Sequence, residues 1–132
     1  MRETVNRGSL FERTIGFSRC ARIGDTIAVS GTAPVDAEHL YEEKDAVFMQ
    51  TKFCLEKILD SLRSFGCDTN DVLRTRVFLT DVTRWEQAAR AHREIFTEAG
   101  PACTFLEVSR FIDERWLVEI EADAIKPPAS SR

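Results

Sequence analysis

The sequence has only two histidines and four cysteines among its 132 residues, which limits the metal and redox chemistry available to it. The cysteines are Cys20, Cys54, Cys67 and Cys103. None of them forms a C-x-x-C pair, and only His39 and His92 could join them as ligands. Structural zinc sites depend on such spacings, so we expect no metal site. In a reducing compartment a disulfide framework is not expected either.

Long apolar runs and an excess of positive charge are also missing. No segment approaches the roughly 20 apolar residues of a membrane-spanning helix, and residues 1–6 lack the apolar core of a signal peptide. Acidic residues outnumber basic ones by 22 to 18, and the net charge of −4 leaves no basic stripe for a phosphate backbone. We therefore expect a cytoplasmic protein that binds neither membranes nor nucleic acid.

The composition is that of one globular domain, with 43% hydrophobic and 30% charged residues. A chain of 132 residues is long enough for a single core. We expect residues 1–132 to form one domain with its folded core at about 14–125. The first few residues and the tail 126–132 are expected to fray.

Hydrophobic periodicity predicts five strands and two helices. The predicted strands are 14–22, 26–31, 71–81, 103–110 and 116–125, and the first two are joined by a turn at Gly24-Asp25. One helix is predicted over 46–65, with Asp45 as a possible cap and Gly66 ending it in the left-handed conformation. A second helix is predicted from a capping box at Thr83 and Glu86 to Gly100-Pro101. The order ββαβαββ indicates an α+β domain with both helices on one sheet face.

Alternation along the strands predicts which side chains face these helices. The side chains expected on the helical face are Val77, Leu79, Leu106, Val108, Val118 and Ile120. Those expected on the opposite face are Arg74, Arg76, Phe78, Cys103, Phe105, Glu107, Glu119 and Glu121. That face mixes aromatic rings with charges of both signs, which favours burial against other copies of the chain.

Five segments together resemble the Rid family (reactive intermediate deaminase, also called YjgF/YER057c/UK114). They are Ile15-Gly16-Phe17-Ser18, Ile27-Ala28-Val29-Ser30-Gly31, Arg74-Thr75-Arg76-Val77-Phe78-Leu79-Thr80-Asp81, Pro101-Ala102-Cys103 and Val118-Glu119-Ile120-Glu121-Ala122. The resemblance implies a chorismate-mutase-like fold and a homotrimer whose sheets form an inner barrel, with clefts between subunits. It also implies hydrolysis of enamines and imines, such as 2-aminoacrylate, without a metal or organic cofactor.

Three positions depart from the family pattern. Cys103 stands where the family has an arginine that clamps the substrate carboxylate, and a thiol cannot replace that fork of donors. Phe17 replaces a tyrosine, and Ala89 replaces an asparagine. The family glutamate is retained as Glu119. The resemblance therefore predicts the fold better than it predicts the standard activity.

Eight residues are the candidates for the site. Glu119 is the candidate general acid or base, with an ion pair between subunits as its alternative role. Cys103 is either a nucleophile, with His92 as a possible base, or a small residue lining the pocket. The candidates for substrate binding are Phe17, Arg19, Ser30, Gly31, Arg76 and Phe105, with either arginine replacing the lost clamp.

Two functions remain open from the sequence. One is a divergent hydrolase of imines, enamines or related small molecules, with its clefts at trimer interfaces. The other is a non-catalytic trimer of the same fold that binds a metabolite or serves as a sensor.

Overall fold

The computed structural model describes residues 1–127, in which six strands form one mixed sheet. The strands are β1 (Arg2–Val5), β2 (Cys20–Ile23), β3 (Thr26–Thr32), β4 (Val72–Leu79), β5 (Ala102–Glu107) and β6 (Val118–Ile125). The helices are α1 (Leu10–Ile15), α2 (Ala46–Arg63) and α3 (Trp85–Phe96), and short 3-10 turns span Glu38–Leu40, Thr69–Asp71 and Val82–Arg84. The α+β class expected from the sequence is confirmed.

The strands are ordered β1-β2-β3-β6-β4-β5, so the last strand of the chain lies in the middle of the sheet. Neighbouring strands are antiparallel except β4 and β5, which are parallel. A parallel pair needs a crossover connection, and α3 supplies it. Strand β6 therefore has a partner on each side along most of its length.

The core lies between the sheet and helices α2 and α3. From the sheet, Val77, Leu79, Val118 and Ile120 are fully buried, as the alternation predicted. From α2, Leu55, Ile58 and Leu62 are fully buried against them. Gly66 follows α2 with φ of 76°, in the left-handed region predicted for the end of this helix.

The structure corrects the prediction for the N-terminal segment. Residues 2–5, expected to fray, form strand β1 on the edge of the sheet and pair with β2. Residues 10–15 form α1, whereas the sequence analysis placed a strand from residue 14. At the other end, Lys126 is held by hydrogen bonds from its N–H to Asp25 and from its Nζ to Gly66. The rest of the predicted tail, 128–132, lies outside the described residues.

The capping box predicted for α3 is wrong. The side chain of Asp81 caps the turn Val82–Arg84, accepting hydrogen bonds from the N–H and hydroxyl of Thr83. Helix α3 then continues directly from this turn, and its N-cap residue Arg84 makes no side-chain cap. The hydroxyl of Thr83 therefore donates to Asp81, and it does not form the capping contact with Glu86 that the sequence predicted.

The prediction of which β5 side chains face the helices is wrong, because the alternation is shifted by one residue. Cys103 lies opposite Thr75 and Phe105 opposite Val77, so both side chains share the helical face. Glu107, opposite Leu79, lies there too. Leu106, expected to face the helices, is instead 37% exposed on the opposite face, and Val108 follows the end of the strand. For β4 and β6 the predicted faces agree with the register.

The part of the chain that the structure describes contains no helix with the length and apolar character needed to cross a membrane.

Candidate functional site

The candidate site is centred on a bulge in β3 beside Glu119. Between the pairs Val29–Ala122 and Thr32–Ile120, β3 advances by three residues while β6 advances by two. The extra residue breaks the alternation, so Ser30 and Gly31 lie between two buried positions. At Gly31, a Cβ atom would lie 3.1 Å from Oε1 of Glu119. The glycine therefore gives the carboxylate room to rest against the backbone of the bulge.

The carboxyl group of Glu119 lies in surroundings that disfavour its charge. Burial raises its pKa above the ordinary value for a glutamate, and the nearby positive charge of Arg19 opposes part of that shift. A raised pKa makes a carboxylate a stronger base than an ordinary glutamate, and the protonated group can return the proton as an acid. Its environment is therefore suited to acid–base chemistry.

Arg19 fixes the bulge and also faces Glu119. Its Nη2 donates hydrogen bonds to the carbonyl oxygens of Ser30 and Gly31, at 3.3 and 3.2 Å, and to Oγ1 of Thr32 at 2.6 Å. Its guanidinium carbon lies 5.5 Å from the centre of the Phe17 ring. Among residues 1–127, every hydrogen bond from the Arg19 side chain comes from Nη2. Its other nitrogens can still serve a ligand.

Helix α1 forms the side of the site. Ser9 and Glu12 make a capping box, in which the Ser9 hydroxyl accepts from the N–H of Glu12 and the Glu12 carboxylate accepts from the N–H of Ser9. The N–H of Arg7 donates to the same carboxylate at 2.8 Å. Ser30 is tied to the segment after α1 by a 2.6 Å hydrogen bond from its hydroxyl to the carbonyl of Ser18. The hydroxyl of Ser30 is thus used within the chain.

A cavity of about 220 Å³ opens beside Glu119. Its apolar walls are Phe11, Ile15, Phe17, Val35, Ile112 and Trp116, and its charged lining residues are Arg7, Glu12, Arg19, Lys57 and Glu119. The structure therefore brings together four of the predicted site residues, Phe17, Arg19, Gly31 and Glu119, and Ser30 adjoins them in the bulge.

Cys103 lies away from this cavity within one chain. Its partner Thr75 is three residues along β4 from Phe78, which pairs with Glu119. This offset corresponds to roughly 10 Å along the strands. The side chains of Cys103 and Glu119 also point to opposite faces of the sheet. Phe105 packs at the edge of the core on the same helical face as Cys103. Neither residue contributes to the Glu119 cavity of its own chain.

The surroundings of Cys103 keep its thiol protonated. Desolvation raises the pKa of Cys103, although a hydrogen bond from Thr75 opposes the shift. Thr75 Oγ1 also lies 2.8 Å from Nε2 of His92, and burial lowers the pKa of that histidine. His92 packs on Phe96 with the two ring centres 4.7 Å apart. These contacts favour an unreactive thiol and a packed histidine over a thiolate nucleophile with its base.

Arg76 is on the other side of the sheet from Cys103, where the sequence analysis had placed the two together. Its Nη1 contacts Glu121 at 3.1 Å and Asp123 at 3.5 Å. All three side chains are partly exposed, so the ion pairs are screened by solvent. This arginine neutralises two carboxylates of its own chain, which makes Arg19 the better placed cation for a ligand beside Glu119.

Of the fifteen residues that line the cavity, eleven were not named as site residues from the sequence, among them Arg7, Lys57 and Trp116. Arg7 precedes a helix that was not predicted. Lys57 is next to the apolar stripe of α2 in sequence. As a single lysine on the surface of that helix, it gave no indication of a role in the site. Trp116 was assigned to the strand that became β6, but it precedes that strand and is buried, with only 6% of its surface exposed.

The geometry of the site defines a class of protein. It is a small α+β domain in which a partly buried carboxylate, a neighbouring cation and an aromatic wall surround a cavity at a strand bulge. Such a site can position water against a small electrophile and hold an anionic group beside it.

Comparison with known proteins identifies the family. Residues 10–126 match the family model described as Endoribonuclease L-PSP. An uncharacterised protein of Streptomyces coelicolor is 35% identical over 127 residues, which is 96% of this chain and 94% of that protein. A RutC family protein of Pyrococcus abyssi is 34% identical, over 83% of this chain and 86% of its own. The chain belongs to this family, the Rid or YjgF/YER057c/UK114 family that the sequence resembles.

A solved structure and a named relative support the same family and fold. The crystal structure of a YjgF/YER057c/UK114 family member from Mycobacterium tuberculosis superimposes with a TM-score of 0.85 at 36% identity, covering 96% of this chain and 100% of that one. A Homo sapiens protein named 2-iminobutanoate/2-iminopropanoate deaminase is 25% identical over 87% of this chain and 83% of its own. The predicted family and the YjgF-type fold are therefore confirmed.

Proposed function

We propose that this protein hydrolyses an imine or enamine of a small carbonyl compound, with Glu119 as the general acid and base. The observation that carries the proposal is the Glu119 carboxyl group, which lies against Gly31 in a cavity and has its pKa raised by burial. The names of the human and mouse relatives, which are 2-iminobutanoate/2-iminopropanoate deaminases, support the same class of reaction.

The reaction needs one water, both of whose protons move from oxygen to nitrogen. Glu119 takes the first proton from water as the oxygen adds to the carbon of the C=N bond, and passes it to the nitrogen, which gives a carbinolamine. Glu119 then takes the hydroxyl proton and passes it to the nitrogen as the C=O bond forms and the C–N bond breaks, so that a carbonyl compound and ammonia leave. An enamine enters this sequence after tautomerising to its imine. Burial raises the pKa of Glu119 and the cation of Arg19 opposes part of that rise, so the carboxylate is a stronger base than an ordinary glutamate.

The test is an assay in which the imine is generated in situ and carbonyl product is followed above the spontaneous rate. Glu119→Gln keeps the shape of the side chain but removes its proton chemistry, so we expect kcat to fall at least about a hundredfold. Glu121→Gln, on the same strand and face, is the matched control and should stay near the wild-type rate. Equal rates in the Glu119→Gln variant and the wild-type protein would exclude Glu119 from the mechanism.

The pH dependence gives an independent check on the same assignment. Because burial raises the pKa of Glu119, the acidic limb of kcat/KM should fall at a pH above the 4.5 of an ordinary glutamate. An acidic limb at or below that value would mean that another group supplies the base.

A metabolite-binding trimer without turnover is the second candidate. The observation that favours it is Cys103, which stands at the family's clamp position and whose thiol is kept protonated by desolvation. This alternative predicts saturable binding of an imino acid analogue with no product above the spontaneous rate in the wild-type protein.

A further inference from the structure

The Glu119 cavity continues into a second, open groove. The groove has a volume of about 670 Å³ and shares four lining residues with the cavity: Phe11, Val35, Ile112 and Trp116. A ligand bound beside Glu119 therefore has an apolar path out of the cavity. A substrate with a one-carbon side chain would leave that path empty.

The shared wall is held in place by the core. Trp116 is 6% exposed, and the Phe11 ring meets it edge to face with centroids 6.1 Å apart. The adjoining backbone is fixed by Gln50, which accepts from the N–H of Leu117 at 2.8 Å and donates to the carbonyl of Arg115 at 2.9 Å. A wall fixed in this way offers a preformed surface to an apolar side chain.

The rim of the wall is apolar and exposed. Ile112 is 71% exposed, and Val35 is 40% exposed. Both line the cavity as well as the groove. Covering such surfaces with an apolar group of the substrate is favourable, in proportion to the area removed from water.

The inner cavity carries a surplus of positive charge for an anionic head group. Arg7, Arg19 and Lys57 line it, against Glu12 and Glu119. The Lys57 ammonium lies 5.4 Å from the centre of the Phe53 ring. Across residues 1–127, Lys57 takes part in none of the ion pairs. It is thus able to pair with a carboxylate in the cavity.

The geometry points to a 2-imino acid with a large apolar or aromatic side chain as the substrate. Its carboxylate is held by Lys57 and Arg19, its C=N carbon lies beside Glu119, and its side chain crosses the Phe11–Trp116 wall toward Ile112. This inference rests on the proposed function, since it names the substrate class of the same site. It also places the carboxylate clamp on α2 and on the residue before β2, in place of the strand position now occupied by Cys103.

Two imino acids of different size test the inference. D-amino acid oxidase with catalase converts D-phenylalanine and D-alanine to their 2-imino acids, and release of each 2-keto acid is followed above the spontaneous rate. We expect kcat/KM for the phenylalanine-derived imine to exceed that for the alanine-derived imine by about tenfold or more. A ratio of one or less, with turnover of the alanine-derived imine, overturns this inference and leaves the proposed function standing. No turnover of either imine overturns both.

A substitution at the rim tests the wall itself. Ile112 is exposed, so Ile112→Ser is compatible with folding. The substitution should lower the ratio of kcat/KM for the phenylalanine-derived imine to kcat/KM for the alanine-derived imine about threefold or more. Val82→Ser, at a residue that is 38% exposed and lies outside both cavities, is the matched control. Equal ratios in the two variants would mean that the side chain does not reach the rim, which overturns the inference.

The cationic end is tested on α2. Lys57→Met removes the charge but keeps the length of the side chain, so KM for the phenylalanine-derived imine should rise about tenfold. Lys52→Met is the control on the same helix, since Lys52 faces Glu94 at 3.6 Å instead of the cavity. A KM that responds equally to both substitutions removes Lys57 from substrate binding.

Discussion

At the scale of single residues, the site depends on the absence of a side chain at position 31. The carboxylate of Glu119 occupies space that a Cβ at this position would approach to 3.1 Å. Backbone conformation is not the reason for glycine here, because Gly31 is not among the residues with positive φ. The glycine is explained by the close approach of a reactive group to the backbone.

Gly31→Ala should therefore impair activity without unfolding the protein. The added methyl group would displace the carboxylate by a few tenths of an ångström, and kcat should fall about threefold to tenfold because acid–base catalysis depends on position. The melting temperature should stay close to that of the wild type. A large loss of stability with an unchanged kcat per folded molecule would contradict this explanation of the glycine.

The site residues that could be predicted from the sequence are those that lie in, or directly beside, the segments that resemble the Rid family. Phe17, Arg19, Gly31 and Glu119 were named from the sequence, and they line one cavity. Cys103 and Phe105 were assigned to the wrong face because the parallel register of β4 and β5 is set by packing across α3, which local alternation does not reveal. Lys57 could not be found because its role depends on which side of α2 borders the cavity.

At the scale of secondary structure elements, α1 is the element that sequence periodicity did not reveal. It has six residues, too few to establish a helical repeat, and it is stabilised by its capping box. The spacing of Ser9 and Glu12 was a readable signal, since a hydroxyl followed three residues later by a glutamate marks a helix start. The same signal at Thr83 and Glu86 was misleading, because Asp81 competes for the Thr83 hydroxyl.

The stabilisation of α1 by Glu12 should depend on pH. Burial alone would raise the pKa of Glu12, but hydrogen bonds from Ser9 and from the N–H of Arg7 outweigh it and lower the pKa from 4.5 to about 2. A carboxyl group with a lowered folded-state pKa stabilises the protein above pH 4.5, and this contribution is lost as the pH falls toward 2. Glu12→Gln should thus lower the free energy of unfolding by about 1 kcal/mol at pH 7.

Urea denaturation at a series of pH values measures this difference. The wild type and Glu12→Gln should differ most above pH 4.5, and the difference should shrink as the pH falls toward 2, where the Glu12 carboxyl group becomes protonated in the folded state as well. Glu86→Gln, in the first turn of α3, is the control for removing one acidic residue. A difference between wild type and Glu12→Gln that persists unchanged at pH 2 would show that charge is not the source of the stabilisation.

At the scale of the whole molecule, one face of the sheet is not covered by α2 and α3. It carries Phe78 and Leu106 together with the ion pairs of Arg76. Sequence alternation predicted this mixed face for β4 and β6, although Phe105 proves to belong to the core side. Aromatic and aliphatic groups among partly satisfied charges are typical of surfaces that meet another copy of the same chain.

We expect three chains to assemble through this face, as the family resemblance implies. Light scattering after gel filtration should then give three times the chain mass of 15.0 kDa. Leu106→Arg, on the same face of the sheet, would bury a charge in the assembly, so it should give monomers. Trp85→Arg, at a residue that is 50% exposed on α3, should leave the trimer intact.

Activity measured on the same samples would show whether assembly completes the site. Cys103 and Phe105 lie away from the Glu119 cavity of their own chain, so they can border a substrate only if a neighbouring copy presents them. Under that arrangement Leu106→Arg should lose both the trimer and imine hydrolysis, although Leu106 lies outside the Glu119 cavity of its own chain. A folded monomer with full activity would instead show that Glu119, Arg19 and the aromatic wall are sufficient within one chain.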